Sequence, residues 1–390
     1  MLMLRSVERY CKDMENKIIT EKISEAAEKN KTPVLDTIYF YLTKGCNLRC
    51  RHCWIEPAGE TAHVELDFEL FKSVIKQAKP LGLSAVKLSG GEPLLHRRIK
   101  DIIKIIQKED LTLIVETNGV LCTKEMAQLI RKCKNSFVSV SIDGIDRETH
   151  EWVRGIKGSF DRAIEGIENL VGAGISPQII MTIMRKNKEQ IESLVKLAES
   201  LGAGSVKFNL MQPTGRGEEM HKKGESLSIE ELVKIGRWVE NELSEKTNLH
   251  IHYSHPHAFR PLGKLFGNGA DGCGTCGIFG IIGVLADGSY ALCGIGETVP
   301  ELVFGYIDKN RLSDVWENNR LLNEIREGLP QKLEGICKDC LMKAMCLGSC
   351  IAQNYYQTKN FWSSSWYCEM AKETGLFPES RRFTELRKKI

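Results

Sequence analysis

Three cysteines stand close together early in the chain, in the run Gly45-Cys46-Asn47-Leu48-Arg49-Cys50-Arg51-His52-Cys53. A C-x3-C-x2-C loop lets three thiolates converge on one small inorganic group. Three thiolates do not close a four-coordinate site, so the last position is open to a substrate or cofactor, as in catalytic rather than structural centres. Eight more cysteines follow later: Cys273, Cys276, Cys293, Cys337, Cys340, Cys346, Cys350 and Cys368. Eight are enough for two complete four-thiolate sites. Of the 14 cysteines this leaves Cys11, Cys122 and Cys133. These three have no ligand-like neighbours and read as small core or surface residues. Zinc suits such ligands too: the first loop could be a zinc knuckle with a fourth ligand elsewhere, and the later cysteines two structural zinc sites.

Composition narrows the setting. A chain of 390 residues has room for two or three domains and a sizeable core without covalent staples. Its cysteines therefore point to metal binding or catalysis in a reducing cytoplasm, not to a disulfide scaffold. The 54 basic and 51 acidic side chains give a net charge of +3 and are spread along the chain, which argues against a nucleic-acid partner. No uninterrupted apolar stretch is long enough to span a membrane. The first residues turn charged too soon for a signal peptide.

These residues need elements to position them. Residues 1–35 read as an amphipathic helical lead-in, with Ile18, Ile19, Ile23 and Ala26 at roughly helical spacing. Six β-prone runs follow, at 37–43, 85–89, 111–117, 137–142, 178–183 and 206–211. Helical patterns separate them near 67–79, 97–108, 123–133, 159–173 and 187–202, and another spans 228–243 with Ser228 and Glu231 as a capping box. Strand alternating with helix predicts parallel βα units. Six units make an open, partial (β/α)6 TIM-like barrel, in which site residues follow the C-terminal ends of strands. Residues 252–300 are rich in Gly and His, and 337–368 in Cys. That stretch reads as loop-dominated and held together by metal. The domains expected are a lead-in over 1–35, a barrel over 36–245 and a small cysteine-rich domain with a helical tail over 246–390. His252, His255 and His257 could line a substrate pocket but fit best as an exposed loop. Tyr355, Tyr356, Trp362 and Trp366 could bind a peptide or pack the extension.

The strand ends carry a consistent set of polar motifs. The cysteine loop follows the first run. The second ends Ser89-Gly90-Gly91-Glu92-Pro93, where glycines permit close approach and Glu92 can accept from an ammonium. The third ends Glu116-Thr117-Asn118-Gly119. The fourth ends Ser141-Ile142-Asp143-Gly144, with Arg154-Gly155 beyond it. In this order the motifs resemble the radical S-adenosylmethionine (SAM) superfamily. The resemblance implies a [4Fe–4S] cluster on Cys46, Cys50 and Cys53, chelated on its fourth iron by SAM. It implies that Gly90, Gly91, Glu92 and Pro93 meet the SAM amino group. Asn118 joins this set, and Ser141 and Asp143 face the ribose. Arg154 would meet the SAM carboxylate, a geometry that suits a guanidinium fork. Thr182 and Asn209 to Met211 are candidates for the adenosine side.

The later cysteines, Cys273-x2-Cys276, Gly288-x4-Cys293 and Cys337-x2-Cys340-x5-Cys346-x3-Cys350 with Cys368, resemble the SPASM extension of peptide-modifying radical SAM enzymes. By that resemblance Cys273, Cys276, Cys293 and Cys350 hold one auxiliary [4Fe–4S] cluster. Cys337, Cys340, Cys346 and Cys368 hold a second, giving three clusters in all. The turn Ala286-Asp287-Gly288 would place Cys293 on a returning strand. The implied activity is reductive cleavage of SAM to a 5′-deoxyadenosyl radical, which takes a hydrogen from the substrate.

In sulfatase-maturing relatives an acidic base follows the cysteine at the position that Gly294 fills here, so formylglycine formation is disfavoured. The better match is a maturase of ribosomally made peptides, forming a thioether or other cross-link. Peptide epimerisation is the alternative, and a non-catalytic Fe–S or zinc module is the reading from another class. The expected partners are a peptide and an electron donor such as flavodoxin or ferredoxin; with only about 35 residues before the first strand, the peptide would be bound either by the core and extension or by a separate leader-binding protein.

Overall fold

A computed structural model describes residues 32–55, 57–61, 63–267 and 276–383. Most of the lead-in, with Cys11, lies outside these residues, as does Cys273. The chain begins its regular structure with β1 (Thr37–Tyr41), α1 (Phe68–Ala78), β2 (Ala85–Ser89), α2 (Ile99–Lys108) and β3 (Thr112–Thr117). It continues with α3 (Lys124–Arg131), β4 (Ser136–Ser141), α4 (Arg147–Arg154), α5 (Ser159–Gly172), β5 (Gln178–Ile183), α6 (Ile191–Ser200) and β6 (Ser205–Leu210). Then come α7 (Gly217–Lys222), α8 (Ile229–Asn241) and β7 (His250–Tyr253). Strands β1 to β7 pair in sequence, all parallel. The six expected strands are all present, and β7 adds a seventh.

Parallel strands buried on both faces read as continuous apolar runs. These do not. One face carries Ile38, Phe40, Val86, Leu88, Leu113, Val115, Val138, Val140 and Met181, all within 1% of full burial. The helices cover this face: Phe40 meets Phe71 of α1 at 4.7 Å between ring centroids. The opposite face carries Tyr39, Lys87, Glu116, Ser141, Thr182, Lys207 and His252. Two-residue alternation along each strand makes this separation. It gives the sheet a polar concave side, the barrel lumen.

Helix starts follow from local chemistry. The Asp67 carboxylate accepts from the backbone N–H of Glu69 at 2.8 Å and of Leu70 at 3.1 Å, capping α1. Ser228 and Glu231 form the expected reciprocal box at the start of α8.

The second half departs from expectation. After α9 (Leu262–Phe266), strands β8 (Ile281–Val284), β9 (Ser289–Ala291) and β10 (Val303–Tyr306) extend the same sheet. β8 runs parallel to β1, so the order is β10-β9-β8-β1-β2-β3-β4-β5-β6-β7 in one ten-stranded sheet. Its two end strands do not pair with each other, and the barrel is open. Ile281, Ile282, Val284, Leu285, Tyr290 and Leu292 are buried, so part of the stretch read as loop has a core of its own. The Ala286-Asp287-Gly288 turn does join β8 to β9, with Gly288 at φ +80° and Ser289 N–H bonded to Asp287 at 3.0 Å.

His252, His255 and His257 are buried, not exposed. His255 Nε2 lies 3.2 Å from Glu240 Oε1 of α8, and Arg260 Nη2 lies 2.7 Å from His252 Nδ1. An ionised partner network makes burial of these polar rings tolerable. The remainder is short helices: α10 (Leu312–Asn318), α11 (Arg320–Gly328), α12 (Gly335–Lys338), α13 (Lys343–Cys346), α14 (Ile351–Thr358) and α15 (Trp366–Glu373). Here Tyr355 stacks on Phe361 at 4.2 Å and Trp366 meets Tyr367 at 5.7 Å. These aromatics pack the extension. The Tyr356 hydroxyl also reaches Glu218 of α7 at 2.5 Å, tying the extension to the barrel.

Phe71 anchors the helix layer on the sheet and is fully buried. Phe71→Ala should destabilise the protein by about 3–5 kcal/mol, measurable as a lower denaturation midpoint with an unchanged m-value.

Candidate functional site

The cysteine loop leaves the C-terminal end of β1 and is clamped by backbone. Gly91 N–H donates to Thr43 O at 2.8 Å and Glu92 N–H to Gly45 O at 2.9 Å. A Cβ on Gly91 would lie 2.0 Å from Gly45 O, closer than any side chain tolerates. From the other side Arg49 N–H donates to Arg154 O at 3.0 Å and Arg51 N–H to Val153 O at 2.9 Å. There Gly155, at φ +75°, ends α4, and a Cβ on it would sit 2.5 Å from Arg49 O. The Gly-Gly pair after β2 thus brings its own backbone against the cysteine loop.

Glu92 is 1% exposed. Its Oε1 accepts from Thr117 Oγ1 at 2.7 Å and Leu94 N–H at 3.0 Å, and its Oε2 from Asn118 N–H at 2.8 Å. A carboxylate has about four acceptor sites, so one is left for a ligand. Burial pushes its pKa up, against the pull of these donors. Asn118 Nδ2 donates to Asn47 Oδ1 at 2.8 Å, linking the end of β3 to the cysteine loop. Pro93 opens a short turn beneath.

Asp143 is fully buried. Its Oδ1 accepts from Thr182 N–H at 2.8 Å, and its Oδ2 lies 2.8 Å from Arg154 Nη2 and 3.6 Å from His52 Nε2. Burial alone would raise its pKa; Arg154 and His52 more than offset that and lower it. Burial holds His52 down at about 4, so this ring is neutral. Arg154 Nη1 also donates to Cys50 Sγ at 3.6 Å, while its Nε is a buried donor with no hydrogen-bond partner among the described residues. Ser141 and Thr182 sit at the lumen ends of β4 and β5. Met211 lies instead in a small apolar cluster with Val153, Met184 and Met220.

The three thiols differ. Cys46 is buried, and Cys50 and Cys53 are partly accessible. Burial, then the Glu92 charge, pushes Cys46 up to about 12. Leu48 N–H donates to its sulfur at 3.4 Å. A metal cluster would reverse the cost of ionising these thiols.

The later cysteines divide into two groups. Cys337, Cys340, Cys346 and Cys368 line one cavity together with Ile336, Gly348 and Phe377. Met342 N–H donates to Cys340 Sγ at 3.4 Å, and backbone N–H groups of His257 and Ser349 reach Cys346. Cys276, Cys293 and Cys350 form the other group, close enough for each charge to oppose its neighbour's. Among the described residues no three His, Cys, Asp or Glu side chains close on a single-ion cage; the four thiols surround a wider space. N–H donors aimed at sulfur around such a space fit an iron–sulfur cluster. Between the groups, Leu347, Gly348 and Ser349 all have positive φ, at 52°, 77° and 67°. This left-handed turn lets Cys346 and Cys350, four residues apart, face different groups. Cys122 and Cys133 are plain core residues.

Gly294 follows Cys293, and a Cβ there would lie 2.3 Å from the Tyr41 ring. Tyr41 of β1 occupies the space that a side chain at 294 would need, and Gly294 N–H bonds its hydroxyl. Tyr41 is the site residue that motif reading missed; its only signal was its place at the end of β1.

Comparison with known proteins agrees with this geometry. Residues 40–198 match the radical SAM superfamily, and residues 273–341 match SPASM, an iron–sulfur cluster-binding domain. The chain is 31% identical over 344 residues to the AdoMet-dependent heme synthase of Methanosarcina barkeri, covering 85% of this chain and 95% of that one. The chain belongs to the radical SAM superfamily. It is an enzyme of that class. It is also 27% identical over 320 residues to the mycofactocin maturase MftC of Mycolicibacterium smegmatis, covering 81% of this chain and 78% of that one. Its fold matches Streptococcus suis SuiB bound to the precursor peptide SuiA, with a TM-score of 0.68 at 16% identity, over 89% of this chain and 78% of that chain.

The radical SAM loop depends on the contact at Gly91. Gly91→Ala should lower the iron bound after reconstitution, as loss of a cluster held by this loop would. It should also abolish SAM binding while leaving the C-terminal iron, a pattern that iron assay and equilibrium dialysis would read.

Proposed function

We propose that this chain is a peptide-modifying radical SAM oxidoreductase, forming a thioether or other cross-link in a ribosomally made peptide. The observation that carries this reading is the polar lumen between the Cys46 loop and the Cys276–Cys293–Cys350 group. Its lining of Tyr39, Lys87, Glu116, Thr182, Asn209 and Lys207 suits a polar chain better than an apolar plate. Cys46, Cys50 and Cys53 would hold the SAM-binding cluster. Glu92 would offer its remaining acceptor position to the SAM ammonium, and the free Nε of Arg154 would face an anionic group. Asp143 keeps Arg154 in place, and Asn118 keeps the cysteine loop in place. Ser141 and Thr182 would line the nucleoside side.

Bound together, the cluster and SAM supply reductive cleavage of SAM and hydrogen abstraction. The chain's own part is to position the substrate and exclude water. Cys273, Cys276, Cys293 and Cys350 would hold one auxiliary cluster, and Cys337, Cys340, Cys346 and Cys368 another. Two complete sets would serve to accept the electron left on the substrate. A low-potential donor such as flavodoxin or ferredoxin, and a separate leader-binding protein, would complete the system in the cytoplasm.

A second reading has its own support. The heme synthase relative is matched over nearly its whole length, which favours an oxidation on a tetrapyrrole side chain.

Reconstituted enzyme should hold about twelve irons, as three four-iron clusters require, and release 5′-deoxyadenosine with SAM and a strong reductant. Replacing Cys46, Cys50 and Cys53 together by Ala should abolish that release and leave about eight irons. Tightly bound zinc without deoxyadenosine would refute the reading. A peptide encoded beside the gene should lose about two mass units on cross-linking, the mass of two hydrogens. Unchanged mass with deuterium uptake from solvent would mean epimerisation instead.

A further inference from the structure

The lumen holds more positive than negative charge. Lys87 of β2 is satisfied: its Nζ lies 2.6 Å from Glu116 Oε1 of β3 and 4.5 Å from the centre of the Tyr39 ring. Lys207 of β6 stands across the lumen, in register with Ile180 of β5 and His252 of β7. It feels the charges of both Glu116 and Lys87, but among the described residues its ammonium has no hydrogen bond or ion pair. The nearby Arg260 is not an equivalent cation, because Glu240 lies 3.6 Å from it. His252 is held neutral by burial and by Arg260. Lys87 interacts with Cys293. Two lysines share one carboxylate, and one positive charge is left facing the space where a substrate would lie.

A cation taken from water without a counter-ion is unfavourable, and burial lowers the pKa of Lys207. A ligand anion would restore its charged form. We propose that Lys207 is the recognition site for a carboxylate of the substrate, and that Lys87 and Glu116 form the fixed wall against which that carboxylate is aligned. The proposal rests on the lumen being the substrate chamber. It names a chemistry shared by both readings above: the carboxylate could belong to an acidic side chain or C-terminus of a peptide, or to an acid side chain of a tetrapyrrole.

The test uses reconstituted, SAM-loaded enzyme and two probe pairs. One is the peptide encoded beside the gene, as free acid and fully methyl-esterified. The other is iron coproporphyrin III and its tetramethyl ester. Whichever pair binds identifies the source of the carboxylate. The acid form should bind wild type about tenfold or more tightly than the ester, as a charge-assisted contact requires. Lys207→Met should erase that preference, Lys207→Arg should keep it, and Glu116→Gln should widen it. Iron content and SAM cleavage without substrate, unchanged in Lys207→Met, would show that the fold and cofactors are intact. Equal binding of acid and ester, or an acid preference that survives in Lys207→Met, would overturn the subsite while leaving the substrate reading standing. Failure of both pairs to bind would overturn the substrate reading and the subsite with it, with deoxyadenosine release still reporting the radical chemistry.

Discussion

The contact on which the site depends is backbone against backbone. Three thiols must be held within reach of one another before any cluster forms, and burial makes Cys46 and Cys50 resist ionisation. The cysteine loop has little apolar surface with which to hold itself. Its shape comes instead from neighbours that press peptide groups directly onto it. The turn after β2 enters at Gly45 and the end of α4 at Arg49. Only residues without a Cβ permit this approach. The polar side chains then lock the same contacts: Glu92 binds the end of β3, Asn118 binds Asn47, and Arg154 spans Asp143 and Cys50. Much of the polarity of these motifs is thus used to hold the loop, which leaves few atoms free to meet a ligand.

The sheet imposes a matching constraint. Its helix-facing side is largely apolar, and its other side carries polar side chains from Tyr39 to His252 interspersed with Ile114, Phe137 and Ile180. A polar concave face cannot pack against a second apolar layer, so it must enclose water or ligand. The placement of β8 beside β1 carries this chamber directly to Cys293, because β8 and the turn after β9 lie against one another: a Cβ on Gly283 would be 2.9 Å from Cys293 Cα. One continuous sheet therefore bears the Cys46 loop at one strand end and Cys293 near another.

What the sequence made legible followed from regularity. The six strands were readable because each runs to five or six residues with strong β-formers, and the helices between them because their apolar period and caps agree. Cysteine spacing separated the early three from the later eight, while the division of the eight into two sets came only with the family resemblance. β7 and β8 were hidden: each has four residues, and the Gly and His around them read as loop. The burial of His255 depends on Glu240, fifteen residues earlier in another element, which no local pattern reveals. The division of Cys346 from Cys350 was also invisible to spacing. It rests on a left-handed turn that includes Leu347 and Ser349, residues that rarely adopt such angles. Gly294 was readable as the absence of a base, but its cause, the Tyr41 ring, lies on the first strand.

Three acidic residues near the site show how environment divides one chemical type into different tasks. Glu92 has three protein donors, and Asp143 has a backbone donor, an arginine and a histidine. Both are buried and committed to architecture. Glu116 is part-exposed, and Lys87 beside it holds its carboxyl below the usual carboxylate range. It is the lumen's own anion, and it is outnumbered by lysines. The first two acids belong to motifs that a sequence reader would single out for chemistry. Glu116 opens the motif at the end of β3, whereas Lys207 sits mid-strand in a run that reads only as polar alternation. In this fold the residues that hold the cysteine loop are marked by motifs at strand ends. Lys207 is marked only by the parity of its position along a strand.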